Sequence, residues 1–335
     1  MSYKALALQL TCQTVHACRS REEAETQMLQ TIERIEAQIA ASIGFLGRET
    51  LLVVTPEHFL SGPPATESID QWREKAALEI DGRLYEAMSA MVQRQQIYFS
   101  GNVYEQDAFF PELYFQTSFI MGPSGDVLLR YRRLNAMYMP TPHDVWELYL
   151  DAYGYDSLFP VTKTNIGNLA CLASEEILYP EVARCLAMRG AEVLIHSTSE
   201  IGSPLMTPQK IAKQARAIEN MAYVVSANSG GISGGVVPMG TADGGSKIID
   251  PKGLVLAEAG YGESLVANAD IDLAALREFR QRPAVGNLLA RQRFELYADS
   301  YAKHSSYPPD TLLGQPAERQ HFVRTQQEVI KRLYS

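Results

Sequence analysis

Three short stretches carry side chains able to do chemistry together. Val53-Val54-Thr55-Pro56-Glu57 ends an apolar run in a carboxylate, Leu129-Arg130-Tyr131-Arg132-Arg133-Leu134 ends one in guanidinium groups, and Gly167-Asn168-Leu169-Ala170-Cys171-Leu172-Ala173-Ser174 ends one in a hydroxyl. A carboxyl held at the end of a buried strand sits in a partly dry site, where burial raises its pKa and makes a usable general base. A guanidinium there is a permanent positive charge that can stabilise an oxyanion or grip a carboxylate. A polar residue closing a buried strand, with Pro180-Glu181 opening a helix just beyond, fits the strand-to-turn geometry in which nucleophiles are displayed. Each has a plainer reading when taken singly. Glutamate after proline often only meets a helix dipole, a basic run after a strand is usually a solvated edge, and a serine in such a place usually caps the strand.

The elements that must position these residues alternate along the chain. Residues 3–10 alternate as a strand does, and Met28, Ile32, Ile35, Ile39 and Ile43 give a helix over 21–45. Leu51–Val54 is a short buried strand, 80–95 a helix, and 97–104 and 115–121 strands; a tight turn at 122–125 leads into a strand at 127–131. A polar, aromatic loop is expected over 134–160. Beyond it come a strand at 169–173, a helix at 180–189 stopped by Gly190, a strand at 193–196, a helix at 207–221 and a strand at 223–227. A hairpin pair follows at 246–249 and 254–258. Strands alternating with helices, with hairpins between, indicate an α/β architecture built on two sheets. No linker-like stretch divides residues 1–279, read as one domain; residues 280–335 read as a C-terminal extension that packs on the body or on a partner subunit.

Bulk properties exclude several function classes. The 335 residues carry 30 basic and 39 acidic side chains, a net charge of −9, which offers no electrostatic footprint for nucleic acid and is repelled by anionic lipid. No apolar run is long enough to span a membrane, and the first ten residues are too soon interrupted by polar ones for a signal peptide. Cys12, Cys18, Cys171 and Cys185 match no zinc or redox spacing, which suggests a reduced, cytoplasmic protein. The Gly-rich segments 230–235 and 240–245 lack the Lys-Ser/Thr of a phosphate-binding loop and read as turns. No metal cluster is visible; isolated His143 and His196 read as satisfied polar residues.

In this order, Pro56-Glu57, Tyr131-Arg132-Arg133 and Ser174-Glu175-Glu176 followed by Tyr179-Pro180-Glu181 resemble the nitrilase superfamily of carbon–nitrogen hydrolases, including its aliphatic amidases. The likeness spans roughly residues 3–275 and takes in Arg216 to Asn228, Gly245 to Gly253 and Leu256 to Gly260. The resemblance implies a four-layer αββα sandwich, assembly into a homodimer or higher homo-oligomer, no cofactor, and hydrolysis of a small amide or nitrile by a Glu–Lys–Cys triad. By position Glu57 resembles the general base, Arg133 fills the lysine position and Ser174 the cysteine position. The backbone N–H of Glu175 corresponds to part of the oxyanion hole. A second glutamate of some members falls on Asp144 or Glu147, with Glu147 preferred; Tyr131, Trp146 and Tyr138 are candidate pocket walls, each also readable as packing.

Ser174 lies seven residues after Gly167 and six before Pro180, as the family's nucleophile does, whereas Cys171 is three residues early, so its side chain points to the opposite sheet face. Both departures matter chemically. A thiol starts near pKa 8.5, but a serine hydroxyl is far less acidic and normally needs an imidazole base. The only histidine adjoining these motifs is His58, and in an extended stretch its side chain diverges from Glu57. Arginine offers a fork of donors where lysine offers a compact charge. Two functions follow: a carbon–nitrogen hydrolase whose cysteine has been replaced by Ser174, by engineering or by nature, or a diverged ligand-binding protein or enzyme of other chemistry using Glu57 and Arg133.

Overall fold

The computed structural model describes residues 2–334 except Pro204 and Asp243. In chain order the first half contains β1 (Ser2–Ala7), β2 (Thr11–Gln13), α1 (Arg21–Leu46), β3 (Thr50–Val54), α2 (Ile69–Ala76), α3 (Arg83–Gln95), β4 (Tyr98–Gln106), β5 (Tyr114–Met121), β6 (Val127–Arg132) and α4 (Trp146–Tyr153). The second half contains β7 (Thr162–Thr164), β8 (Gly167–Ala173), α5 (Pro180–Met188), β9 (Val193–Thr198), α6 (Pro208–Asn220), β10 (Tyr223–Asn228), β11 (Gly231–Ser233), β12 (Lys247–Ile249), β13 (Val255–Glu258), β14 (Asn268–Asp272) and α7 (Leu273–Gln281). Two helices end the chain, α8 (Glu295–Ala302) and α9 (Arg319–Tyr334).

Two six-stranded sheets result, ordered β14-β1-β3-β4-β5-β6 and β13-β12-β10-β9-β8-β7. Each has three parallel strands at its heart, β1, β3 and β4 in one and β8, β9 and β10 in the other, with antiparallel strands outside them. The near-continuous apolar runs of these parallel strands follow from being covered on both faces. One face of each sheet meets the other sheet: Leu52, Val54 and Ile120 pack with Leu169, Cys171, Ile195 and Val225. The outer face of the first sheet carries α1, α2 and α3, and that of the second carries α5 and α6, so the layers are helix, sheet, sheet, helix.

Periodicity decides which helix faces are buried. In α1, Met28, Ile32, Ile35, Ile39 and Ile43 are all buried, each contributing on the order of 2 kcal/mol. The helix starts where the Ser20 side chain accepts from the Glu23 N–H and stops at Gly47, whose φ of +109° suits glycine. Gly190 likewise follows α5 at φ +95°.

The expected loop over 134–160 contains α4, which buries Tyr149 beside Phe110 and Phe115. Its aromatic residues hide the helical period because the helix packs through rings on a sheet edge. Helix α2, started by a Ser68–Gln71 capping box and burying Trp72, was also not expected. The C-terminal segment folds onto its own body. Leu312 and Phe322 are buried in the core under the α-layer, Leu312 N–H donates to Asp144 O at 3.0 Å, and Arg319 Nη1 donates to Ala65 O at 2.7 Å. Among the described residues no helix is long and apolar enough to cross a membrane.

Candidate active site

Glu57, Arg133 and Ser174 directly follow or closely follow the carboxyl ends of β3, β6 and β8, the place where open α/β sheets present ligands. The strand ends are tied across the two sheets. Ser197 Oγ donates to Thr55 O at 2.8 Å, and Glu57 N–H donates to Thr198 O at 3.3 Å. The turn after β3 therefore cannot move independently of β9.

Glu57 is buried, and its Oε1 accepts from Gln116 Nε2 at 2.7 Å and from Arg133 Nη1 at 3.1 Å. Burial pushes its pKa up, but His58, Arg133, Gln116 and the Ser174 hydroxyl outweigh burial and hold the carboxyl below its ordinary 4.5. The expected divergence of His58 from Glu57 is overturned. Residues 57–61 form a turn with His58 at φ +39°, which brings Nδ1 to 3.8 Å from Glu57 Oε1. Burial pushes the His58 pKa below 6.5, opposed by Glu57. His58 is thus largely neutral at pH 7, and Arg133 with the hydrogen bonds from Gln116 and Ser174 sustains the Glu57 charge there.

The basic run at the end of β6 is not a solvated edge, because Arg132 and Arg133 are both buried. Arg132 pairs with Asp107 among the rings of Phe115, Tyr149 and Tyr153. Arg133 alone enters the site. Its Nε donates to Asn135 O at 2.8 Å, Nη1 to Gln116 Oε1 at 2.6 Å as well as to Glu57, and Nη2 to Glu175 Oε2. Four acceptor contacts of this kind suit a fork of donors and not a single ammonium.

Ser174 stands at φ +52°, a conformation that costs a non-glycine residue on the order of 1–3 kcal/mol and concentrates at functional sites. The turn that holds it there is anchored twice. His196 Nε2 donates to Ser174 O at 2.8 Å, while Nδ1 accepts from Ser226 Oγ at 2.9 Å. Burial, then Lys213, lowers the His196 pKa to about 4, so the ring is neutral at pH 7. Glu176, buried in the next turn, accepts from Tyr131 OH at 2.8 Å, Leu134 N–H at 2.7 Å, Asn135 N–H at 3.0 Å and Ala173 N–H at 3.2 Å. It links the Ser174 turn to the segment that carries Arg133. The backbone N–H of Glu175 lies in the first turn of a short helix over 174–178, where amides have no acceptor within the helix.

The other expected residues fall in different places. Tyr131 is packed in the sheet-to-sheet core and acts on Glu176. Trp146 lines a cavity of about 600 Å³ together with Glu175. Tyr138 is exposed, and Glu147 is exposed in the first turn of α4 with no side-chain hydrogen bond or ion pair among the described residues. Asp144, the alternative to Glu147, is buried and accepts from Thr141 and Thr311 hydroxyls at 2.7 Å each. Cys171 is fully buried, and burial pushes its thiol up to about 12, far from a thiolate. Among the described residues no group of three or more His, Cys, Asp or Glu side chains is arranged to hold a metal. Sequence reasoning did not find Gln116, Asn102, Glu176 and His196 as parts of the site. A signal was available for His196, which closes the apolar run Val193-Leu194-Ile195 of β9; Asn102 and Gln116 stand beside other polar residues, Ser100 and Glu105 in β4 and Thr117 and Ser118 in β5, so no pattern singles them out.

The sequence profile of the carbon-nitrogen hydrolase family matches residues 11–281. The chain belongs to that family. The omega-amidase NIT2 of Xenopus tropicalis is 26% identical over 248 residues, 74% of this chain and 84% of the relative. The 2-oxoglutaramate amidase of Bacillus subtilis is 34% identical over 167 residues, 50% of this chain and 60% of the relative. Among solved structures, the carbon-nitrogen hydrolase of Helicobacter pylori G27 superposes with a TM-score of 0.69 at 21% identity, covering 91% of this chain and 100% of that one. Saccharomyces cerevisiae Nit3, a member of the nitrilase superfamily, superposes with a TM-score of 0.65 at 21% identity, covering 84% and 93%. Those two likenesses speak for the fold, the nitrilase-superfamily sandwich expected from the motifs.

Proposed function

We propose that this carbon–nitrogen hydrolase family member is an amidase that uses Ser174 as nucleophile, Glu57 as general base and Arg133 with the Glu175 N–H as oxyanion donors. The observation that carries the reading is geometric: the buried Glu57 carboxylate accepts from Arg133 Nη1 at 3.1 Å and Gln116 Nε2 at 2.7 Å at the strand ends where half-buried Ser174 is held at φ +52°. In the forward step Glu57 takes the Ser174 proton as Oγ attacks the amide carbon. The oxyanion collapses, the C–N bond breaks, and Glu57 returns the proton to the departing amine. Water, deprotonated by Glu57, then cleaves the ester and releases the acid. A carboxylate with a lowered pKa is a weak base for a serine hydroxyl, so turnover is slow relative to a thiol at the same position.

A second reading, a ligand-binding member of the family without hydrolysis, is favoured by one observation. Both Nη1 contacts and one Nη2 contact of Arg133 are already taken by Glu57, Gln116 and Glu175, which leaves little donor capacity for an oxyanion. Ammonia release from a panel of amides and nitriles separates the two. The chain as it stands, Ser174→Cys, and Ser174→Cys with Arg133→Lys are compared. Turnover by the first, raised by cysteine, supports the amidase; no turnover by any of the three supports the binding protein.

A further inference from the structure

The cavity of about 600 Å³ lined by Trp146 and Glu175 adjoins the reacting groups at one place. Asn135 and Glu175 line it and also hold Arg133, the first through its carbonyl on Nε at 2.8 Å and the second through Oε2 on Nη2. Ser174 directly precedes Glu175. Beyond that contact the lining is mainly apolar, with Trp146, Leu158, Phe159, Tyr179, Tyr307 and Phe322 as its larger walls. They come from α4, the stretch before β7, the turn after β8 and the C-terminal segment, so four separate parts of the chain converge on one space. The rings also pack on their neighbours. His143 stands between Trp146 and Tyr307, with centroids 5.7 and 6.1 Å away, and Tyr155 and Phe159 are 6.1 Å apart.

The charged groups around this space are already compensated. Glu175 is paired with Arg133. One Asp144 oxygen accepts from the Thr141 N–H at 2.9 Å and the Thr141 hydroxyl at 2.7 Å, and the other accepts from the Thr311 hydroxyl at 2.7 Å. Burial lowers the His143 pKa, so that ring is neutral at pH 7. The Arg189 guanidinium lies 5.7 Å from the Tyr155 ring and 5.2 Å from that of Phe159 and pairs with Asp156 at 3.5 Å, so it supports these rings without lining the cavity. A charged group entering would give up its hydration and meet no free counter-charge among the described lining residues, which is unfavourable. An aromatic ring gains instead, because burial of its apolar surface favours binding and edge or offset contacts with other rings add to it. Size points the same way. An apolar cavity of about 150 Å³ holds one benzene molecule, so a space of about 600 Å³ is far larger than a short aliphatic amide fills.

We infer that this cavity seats an uncharged aromatic group, which makes the substrate class an aryl amide, with its amide at Glu175 and its ring among Trp146, Phe159, Tyr179 and Tyr307. The inference rests on the amidase reading for the word substrate; the aryl site itself does not need turnover.

The test is isothermal titration calorimetry of the full chain with four amides. 2-Phenylacetamide carries a neutral ring and butanamide carries none. The 4-carboxymethyl and 4-aminomethyl derivatives of 2-phenylacetamide carry the same ring with a negative or a positive charge. Phenylacetamide is expected to bind roughly ten- to a hundredfold tighter than butanamide. Each charged derivative is expected to bind at least about tenfold more weakly than phenylacetamide. Trp146→Ala and Tyr179→Ala each remove one ring, and each is expected to weaken phenylacetamide by roughly three- to tenfold, with a smaller loss for butanamide. Tyr179 is 45% exposed, so its variant tests the site without burdening the core. Butanamide or a charged derivative binding as tightly as phenylacetamide overturns the inference, as does no binding of phenylacetamide. So do two folded alanine variants with unchanged affinity for it. Ammonia release from the same four amides keeps the two readings apart. Selective binding of phenylacetamide without release removes the amidase and leaves the aryl site; release without preference for the neutral ring does the reverse.

Discussion

His196 Nε2 donates a 2.8 Å hydrogen bond to the backbone carbonyl of Ser174, the residue held at φ +52° at the end of β8. A neutral imidazole, itself oriented by Ser226, thus props the strained turn from β9. His196→Ala strands the Ser174 carbonyl and the Ser226 hydroxyl, at a cost of about 1–3 kcal/mol in stability. With the amide panel, kcat is expected to fall at least about tenfold with KM little changed, because the turn loosens while the cavity walls stay. A variant with normal kcat and normal stability removes His196 from this role.

The same histidine sets an acid limit on stability. Its folded pKa of about 4 lies below the unfolded 6.5. Between those values the unfolded chain binds more protons, so stability is complete above pH 6.5 and is lost as pH falls toward 4. The loss attributable to His196 approaches about 3 kcal/mol. Urea unfolding at pH 7 and pH 5 should show the drop in the wild-type chain, and a smaller one in His196→Gln. Equal slopes in the two proteins would place the titrating group elsewhere.

Glu57 should leave activity flat where many carboxylate bases do not. Its folded pKa is held below 4.5, so it is ionised throughout pH 5 to 8, and the acid limb of kcat/KM lies below that range. Glu57→Gln keeps the bond to Arg133 in shape but removes the base, and turnover is expected to fall by about a thousandfold or more. An acid limb centred near pH 6 would instead point to a histidine, and His58 at 3.8 Å is the first to replace.

Much of this architecture was legible in advance, for identifiable reasons. Elements with a single strong period, α1 and the parallel strands β3, β8 and β10, stand where their apolar spacing put them. The three strand-end residues meet because each follows a run that only a doubly covered sheet can bury. What stayed hidden depends on long-range pairing. Helix α4 packs through rings, β2 and β11 are three residues each and exist only by pairing with one another, and His58 turns toward Glu57 through one left-handed residue. Glu176 illustrates the limit for side chains, because its four donors come from residues 131, 134, 135 and 173 and no local pattern shows them converging.

Arg133→Lys is a severe change on this geometry. Lysine reaches one acceptor well, leaving Gln116 Oε1, Asn135 O and Glu175 Oε2 to find other donors around a buried Glu57. Breaking a buried pair of this kind costs about 3–5 kcal/mol, part of which an ammonium recovers. A drop of roughly 2 kcal/mol in urea unfolding is expected. Glu57→Gln, which no longer needs a full counter-charge, should make the lysine variant less costly, giving a favourable coupling in a double-mutant cycle. Additive effects would mean that Arg133 and Glu57 are neighbours without being partners.

Removal of residues 305–335 tests the extension. Leu312 and Phe322 are buried in the main core, and burying each contributes about 2 kcal/mol. Thr311 also supplies one of the hydroxyls on Asp144, and Tyr307 is one wall of the cavity. The shortened chain should therefore lose roughly 4 kcal/mol in urea unfolding, while any amide it still hydrolyses should show a raised KM. Among the described residues, the Glu57–Arg133–Ser174 cluster draws none of its hydrogen bonds from this segment, so kcat should fall less than KM rises. An unchanged KM with a collapsed kcat would show that the extension acts on the reacting groups and not on the cavity.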